Sequence, residues 1–145
     1  MKTEVMQRAL DLGVDIINDI KALRARGASE LLAASSAGVC LVHMRGEPRS
    51  MQAQPAVYSD LLVEIGDFLA ERADALCRLG VEAARITIDP GIGFGKTAQQ
   101  NFLLLQHLDQ FLPLGYPLLA GWSRKSSLGV VTGKVVDDRL AASLA

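Results

Sequence analysis

The feature that most constrains this chain is a repeated alternation between amphipathic helical segments and short apolar runs. Apolar residues at helical spacing predict helices over residues 3–12, around residues 31–32, over residues 59–79, after Thr97 and from Ser126 onward. The apolar runs between them predict four strands, at residues 14–17, 39–42, 85–88 and 117–120. Parallel neighbouring strands need a crossover of about a dozen residues or more, usually a helix, so this order predicts an α/β fold with parallel strands.

Capping signals mark the starts of two predicted helices. Ser59 or Asp60 is expected to cap the long helix at its N-terminus. Thr97 and Gln100 have the spacing of a capping box, which places the start of a later helix directly after a glycine-rich run. These signals support the helical assignments independently of the apolar pattern.

Polar residues and glycines concentrate directly after each predicted strand. They occupy residues 18–19, 43–46, 89–91 and 121–125. In both barrels and doubly wound sheets, functional sites lie at the carboxyl ends of parallel strands. The sequence therefore predicts a site at that edge of the sheet.

Composition narrows the class of protein. With 145 residues, 50% of them hydrophobic, residues 1–145 are predicted to form one globular domain. The 15 Lys and Arg against 16 Asp and Glu leave no field that would attract nucleic acid or an anionic membrane, which favours small-molecule partners. No apolar stretch approaches the ~18 residues of a membrane span, and the N-terminus lacks a signal-peptide core. Cys40 and Cys77 lack metal-binding spacing, so we expect free thiols in a soluble, cytoplasmic protein.

The glycine-rich run at residues 91–97 does not match the nucleotide-binding loops that it first suggests. A P-loop needs four residues between its first glycine and the Gly-Lys-Thr triplet, and here there are three. The spacing of Gly91, Gly93 and Gly95 also differs from the dinucleotide-binding motif. Glycines at alternate positions instead allow the main chain to lie close to a flat ligand, on which Phe94 could stack.

Three polar side chains are candidate ligand contacts. Asp89 is predicted to end a strand with its carboxylate directed into the mouth of the site, although a turn aspartate fits equally well. Lys125 is either an ammonium in the same mouth or part of a solvated basic turn. Asn18, after the first predicted strand, is either a ligand contact or a buried structural amide. His43 is interpreted as a satisfied core or supporting residue rather than a catalytic base, and Met44 by default as a packing residue.

Four motifs together resemble the dihydropteroate synthase family in order and spacing. They lie at residues 16–20, 42–46, 88–96 and 121–126. The resemblance covers essentially the whole chain, includes Met51 and Gln52, and corresponds to the fourth through seventh strands of that family's (β/α)8 TIM barrel. Such a barrel takes about 250 residues, so the resemblance implies a partial barrel of about four βα units.

The resemblance implies a pterin pocket and a role for each retained residue. Asp89 would accept hydrogen bonds from the adjacent 2-amino and N3–H groups of the pterin, a pattern that suits a carboxylate. Lys125 would donate to the O4 and N5 side of the ring, and Asn18 would bind another edge. Asp89 and Lys125 are the expected catalytic residues. The other expected ring contacts are Ile20, Met44 and Phe94, with Gly93 and Gly121 leaving room for the ring.

The implied reaction joins 6-hydroxymethyl-7,8-dihydropterin pyrophosphate to p-aminobenzoate, giving 7,8-dihydropteroate and pyrophosphate in folate biosynthesis. In the family pattern p-aminobenzoate lies near Lys125 and Ser126, where sulfonamides compete with it. Magnesium and basic side chains neutralise the leaving pyrophosphate in the family. The family's metal-binding Asn, Arg-Pro loop, third-strand Asp and last-strand Arg-x-His motif have no counterpart here, so no metal ligand is expected in this chain.

Two further hypotheses stand beside the synthase. Folate-dependent methyltransferases use a related barrel to bind a reduced pterin, and the run at residues 123–126 favours the synthase over them without deciding the matter. The chain alone is also expected to be inactive, surviving as a fragment, an oligomer or an unfolded product. A half-barrel exposes two sheet edges, which predicts self-association, whereas the full-length protein is expected to be a homodimer as in the family.

Overall fold

The computed structural model describes residues 2–46 and 57–144, so Met51 and Gln52 lie outside the described residues. Within these ranges a parallel sheet of three strands has the order β1-β2-β3, with β1 at Ile16–Asp19, β2 at Gly38–Val42 and β3 at Ile86–Asp89. The helices are α1 Thr3–Asp11, α2 Ala28–Ala33, α3 Leu61–Arg78, α4 Ala98–Gln106, α5 Ser126–Thr132 and α6 Leu140–Leu144. The predicted alternation of helices and parallel strands is confirmed. No helix in the described part of the chain is long and apolar enough to cross a membrane.

Two strands begin later than the sequence predicted. β1 starts at residue 16 rather than residue 14, because α1 ends in a turn at Gly13, whose φ is +80°. β3 starts at residue 86 rather than residue 85, because Arg85 instead closes a 3₁₀ turn. The Arg85 guanidinium donates to the carbonyl groups of Ser35 and Ala37, each at 2.7 Å. A local turn at Gly13 thus precedes β1, whereas contacts of Arg85 with a distant part of the chain accompany the later start of β3.

The fourth predicted strand, at residues 117–120, is wrong in extent. The structure describes an isolated parallel bridge between Leu118 and Ile88 at this place. The Ile88 N–H donates to the Pro117 carbonyl and the Leu119 N–H donates to the Ile88 carbonyl, both at 2.9 Å. Pro117 has no N–H with which to extend the ladder. The chain thus meets β3 at one point before it enters the loop at residues 121–125.

One face of the sheet forms the core with α3. Apolar side chains of the strands, including Ile17, Leu41 and Ile88, are at most 2% exposed. α3 presents a buried stripe at helical spacing to the same cluster, formed by Leu61, Ile65, Leu69, Ala73 and Leu76. Asp60 caps this helix as predicted, its carboxylate accepting the N–H groups of Leu62 and Val63 at 3.1 Å each. This buried layer fixes the sheet from behind.

The opposite face of the sheet carries the polar residues. Asn18, Cys40 and Thr87 are aligned across the three strands, and Asp89 follows Thr87 by two residues on the same face. Burial, with a smaller effect from the Asp89 carboxylate, raises the pKa of the Cys40 thiol to about 12. Ile16 lies at the start of β1 on this face and is 62% exposed. We call this face, in line with the barrel resemblance, the inner face.

The loop after β1 is held by a buried carboxylate. Asp19 is 1% exposed, and its Oδ2 accepts the Leu23 N–H at 2.9 Å. Ala22 and Leu23 both have left-handed backbone, with φ of 48° and 55°, which costs free energy in residues other than glycine. Arg72 of α3 donates to the Ala22 carbonyl at 2.9 Å. Asp19 therefore serves the backbone of its own loop.

Ile16, exposed on the inner face of the edge strand β1, predicts self-association through that strand. We expect the isolated chain to sediment as concentration-dependent oligomers, and Ile16→Lys to shift it towards monomer, because a lysine on an edge strand opposes strand pairing with another chain. Val63→Lys is the matched control, since Val63 is 56% exposed but lies on α3. Sedimentation velocity measures both. A monomeric parent chain, or an equal effect of the two lysines, would contradict the prediction.

Candidate active site

Asp89 lies at the carboxyl end of β3 and is 6% exposed. Its Oδ1 accepts the Gly91 N–H at 2.7 Å, which fixes the carboxylate against the first turn of the following loop. Burial raises the pKa of Asp89, while the Gly91 hydrogen bond and the ammonium groups of Lys125 and Lys96 act against that rise. The site thus contains a buried carboxylate with two cations nearby.

Gly91 brings the loops after β2 and β3 into contact. Its φ is +73°, and a Cβ at this position would overlap the carbonyl oxygen of His43. The His43 N–H also donates to the Asp89 carbonyl at 2.9 Å. A residue without a side chain is therefore required where the two loops meet.

Lys96 ties these two loops together. Its Nζ lies 3.1 Å from His43 Nδ1 and donates to the carbonyl groups of Gly91 at 2.9 Å and Phe94 at 3.3 Å. Burial lowers the pKa of Lys96 to about 7, although the Asp89 carboxylate opposes this shift. Burial and the Lys96 charge together lower the pKa of His43 to about 3. His43 is thus a buried neutral acceptor, which agrees with its interpretation as a supporting residue.

Lys125 and Phe94 form the other side of the site. Lys125 Nζ lies 4.6 Å from the centroid of the Phe94 ring, within range of a cation–π interaction. A Cβ at Gly93 would lie 2.9 Å from Lys125 Cδ, so the glycine leaves room for the lysine stem. Burial lowers the pKa of Lys125, and Asp89 opposes the shift. The structure therefore brings together four expected residues: Asp89, Gly93, Phe94 and Lys125.

The remaining expected residues lie around this cluster in different environments. Asn18 is exposed inside β1, so the alternative of a buried structural amide is wrong. Ile20 is half-buried directly after β1, and Met44 is 2% exposed directly after β2. Gly121 and Ser126 are exposed, Ser126 as the first residue of α5. Asn18 shares the inner face with Asp89, whereas Met44 is almost wholly covered by protein.

Sequence reasoning missed Lys96, Asn101 and Ser127. Asn101 is 1% exposed on α4, and its Oδ1 accepts the Gly93 N–H at 2.8 Å. Its Nδ2 donates to the Oγ of Ser127, which is 2% exposed, also at 2.8 Å. The sequence did contain a signal for Asn101. It lies three residues before Leu104, so the two side chains share the face that α4 buries.

The described residues offer no ready metal site. Across residues 2–46 and 57–144, no group of three or more His, Cys, Asp or Glu side chains is arranged to hold an ion. Asp89 has two lysines rather than further carboxylates near it. One carboxylate beside two ammonium groups is a donor set that does not fit magnesium.

Gly91→Ala is expected to lower the free energy of unfolding by at least about 2 kcal/mol, because the methyl group meets the His43 carbonyl and the backbone is left-handed. Gly121→Ala is the matched control, since nothing lies within 4 Å of its Cβ position. The control is expected to change stability by less than about 0.5 kcal/mol. Urea denaturation distinguishes the two, and equal effects would show that the loop tolerates the methyl group.

The lowered pKa of His43 predicts that the free energy of unfolding decreases in acid. Because its pKa is near 3 in the folded chain and about 6.5 when unfolded, the unfolded state binds the proton first as the pH falls from 6.5 towards 3. Folding stability is therefore lost through that window, and less steeply in His43→Gln. Denaturation at several pH values measures the difference. A titration of the His43 ring C–H resonance with its midpoint near pH 6.5 would contradict this expectation.

Comparison with known sequences supports the family resemblance. The chain is 42% identical over 144 residues to the dihydropteroate synthase of Haemophilus influenzae, covering 99% of this chain and 52% of that protein. The chain therefore spans about half the length of this curated relative. This share of the relative's length agrees with the expected partial barrel.

Solved structures agree with the fold. Dihydropteroate synthase from Stenotrophomonas maltophilia superposes with a TM-score of 0.93 and 46% identity, covering 99% of this chain and 54% of that one. The Burkholderia cenocepacia enzyme complexed with 7,8-dihydropteroate gives a TM-score of 0.90 at 46% identity and the same coverage. The prediction of a partial TIM barrel is confirmed. The sequence profile of pterin binding enzymes matches residues 1–145, and the chain belongs to that family.

Proposed function

We propose that this chain is the part of a dihydropteroate synthase that carries most of the pterin pocket. The whole protein would condense 6-hydroxymethyl-7,8-dihydropterin pyrophosphate with p-aminobenzoate in folate biosynthesis. The observation that carries the proposal is the buried Asp89 carboxylate, with Lys125 and Phe94 beside it. The relatives reported above bear the synthase name, which favours this reading over a folate-dependent methyltransferase.

Asp89 suits the donor edge of a pterin. One hydrogen bond to Oδ1 comes from Gly91, which leaves other lone pairs of the carboxylate for a ligand. The 2-amino and N3–H groups of a pterin are adjacent donors that a carboxylate can accept together. Lys96 and Lys125 both favour the charged carboxylate. The cluster can therefore orient a flat heterocycle by one edge.

Lys125 and Phe94 would bind the rest of the ring. The Lys125 ammonium would donate to the O4 and N5 side, and Phe94 offers an aromatic surface beside it. Exposed Ser126 follows Lys125, so p-aminobenzoate would lie at this end of the site. In the reaction the amine lone pair forms a C–N bond, the C–O bond breaks, pyrophosphate leaves with the electron pair, and the amine loses a proton. This chain would contribute by holding the pterin carbon in line with the amine.

Features of the whole protein complete the proposal. Magnesium would assist the leaving pyrophosphate in the whole protein, and residues 2–46 and 57–144 contain no cluster of three or more His, Cys, Asp or Glu side chains that could hold it. A homodimer is supported by exposed apolar side chains on α5 and α6, namely Val130, Val131, Leu140 and Leu144, which are 66–79% exposed. A cytoplasmic location is supported by the unpaired thiols of Cys40 and Cys77.

Asp89→Asn tests the pocket directly. Replacing a carboxylate that accepts two donors is expected to weaken the binding of pterin-6-carboxylate about 10- to 100-fold, since hydrogen bonds to charged groups are worth about 1.5–3 kcal/mol. Titration calorimetry on the purified chain measures the affinity. Asp67→Asn, on the exposed surface of α3, is the control and is expected to bind normally.

The calorimetric result has two clear adverse outcomes. Equal affinity of parent and Asp89→Asn would remove the carboxylate from the site. A folded parent chain that binds no pterin would show that the pocket forms only with the rest of the barrel, and the proposal that this chain carries most of it would fail.

A further inference from the structure

The start of α4 is fixed by the capping box that the sequence predicted. Thr97 Oγ1 accepts the Gln100 N–H at 3.1 Å, and Gln100 Oε1 accepts the Thr97 N–H at 2.8 Å. This reciprocal pair fixes the first turn of the helix. Asn101 and Leu104 share that face, at 1% and 0% exposure. A polar side chain therefore enters the protein interior directly beneath the glycine-rich loop.

Asn101 makes three side-chain hydrogen bonds, with Gly93, with Ser127 and, at 3.5 Å, from Nδ2 to the Lys96 carbonyl, and the first two determine its orientation. The Gly93 N–H can only donate, so the amide oxygen of Asn101 must face it, at 2.8 Å. The Asn101 Nδ2 group then faces Ser127 and donates to its Oγ at 2.8 Å. The planar amide of asparagine has an acceptor on one side and a donor on the other, which matches these two partners. The same residue thus binds the loop after β3 and the first turn of α5.

The two groups that Asn101 joins are adjacent to the residues of the candidate site. Gly93 precedes Phe94, and Ser127 follows Lys125 by two residues. Lys125 Nζ in turn lies 4.6 Å from the Phe94 ring centroid. Asn101 therefore links the same two segments that also meet through the Lys125–Phe94 pair, and the two links form a bridge between them. Movement of either segment would change the distance between the ammonium and the ring.

We propose that Asn101 is a positioning residue that sets the Gly93–Phe94 segment and the Lys125–Ser126 segment at a fixed distance. This inference deepens the proposed function and rests on it, because these segments are the pterin side and the p-aminobenzoate side of that site. Asn101 touches neither substrate. It acts through the Gly93 backbone and the Ser127 hydroxyl.

The decisive variant is Asn101→Leu, which keeps the branched shape and the number of side-chain heavy atoms and removes the side-chain hydrogen bonds. In the ligand-free chain we expect hydrogen exchange of the Gly93 amide to rise about tenfold or more, because its acceptor is lost. The upfield ring-current shift of the Lys125 ε-methylene, measured by NMR, is expected to shrink as the lysine leaves the Phe94 ring. Affinity for pterin-6-carboxylate is expected to fall about tenfold.

Two milder variants separate the arms of the bridge. Asn101→Asp keeps an acceptor for Gly93 and can accept from the Ser127 hydroxyl, so it is expected to restore Gly93 protection to within about threefold of the parent. Ser127→Ala cuts only the second arm. It is expected to reduce the Lys125 shift while Gly93 remains protected. These variants carry the test if Asn101→Leu does not fold.

Leu104→Val is the matched control, since it disturbs the same buried face of α4 without touching the bridge. It is expected to lower stability and leave both NMR signatures unchanged. If Asn101→Leu also lowers stability without moving either signature, Asn101 is a structural residue and the inference is wrong. Unchanged pterin affinity despite altered signatures would also overturn it. Altered signatures in a chain that binds no pterin would support the positioning while rejecting the proposed function.

Discussion

The contact between the Gly91 main chain and the His43 carbonyl is the constraint on which the site depends. It allows the loops after β2 and β3 to lie against each other at the carboxyl edge of the sheet. Lys96 can then reach acceptors in both loops, and Asp89 can accept the Gly91 N–H. A side chain at this position would separate the loops, and the carboxylate and the lysine would lose their partners together.

The cluster holds charged groups that are partly or wholly buried. Burial raises the pKa of Asp89 and lowers the pKa values of Lys96 and Lys125, so each charged form is disfavoured by its surroundings. Mutual attraction between the carboxylate and the ammonium groups offsets part of that cost. A neutral ring with adjacent donors on one edge and acceptors on another would offset more of it. The buried carboxylate and the two ammonium groups therefore depend on one another for their charged states.

The sequence predicted those parts of the fold and site that depend on local signals. Apolar runs located β1, β2 and β3, the capping residues located the starts of α3 and α4, and the motifs predicted that Asp89 and Lys125 lie near each other. The sequence placed the start of β3 one residue early because Arg85 leaves the strand to donate to carbonyl groups about 50 residues away in the chain. Lys96 and Asn101 were missed for a similar reason. Their roles arise from contacts between loops and helices, and the spacing of apolar residues along the sequence gives no information on such contacts.

The two faces of the sheet differ in what they carry. The face against α3 is a closed apolar core, and the elements that carry Asp89, Phe94 and Lys125 are fixed from that side. The inner face carries Asn18 and Ile16 exposed on β1. Asp89 and the loop that carries Phe94 are positioned by hydrogen bonds that join the loops after β2 and β3 to each other and to α4 and α5. Exclusion of water from the ligand requires cover over the inner face, and relatives of about twice this length have the additional chain to supply it. Orientation and enclosure of a ligand are thus separable properties, and the contacts among Asp89, Phe94 and Lys125 bear on orientation alone.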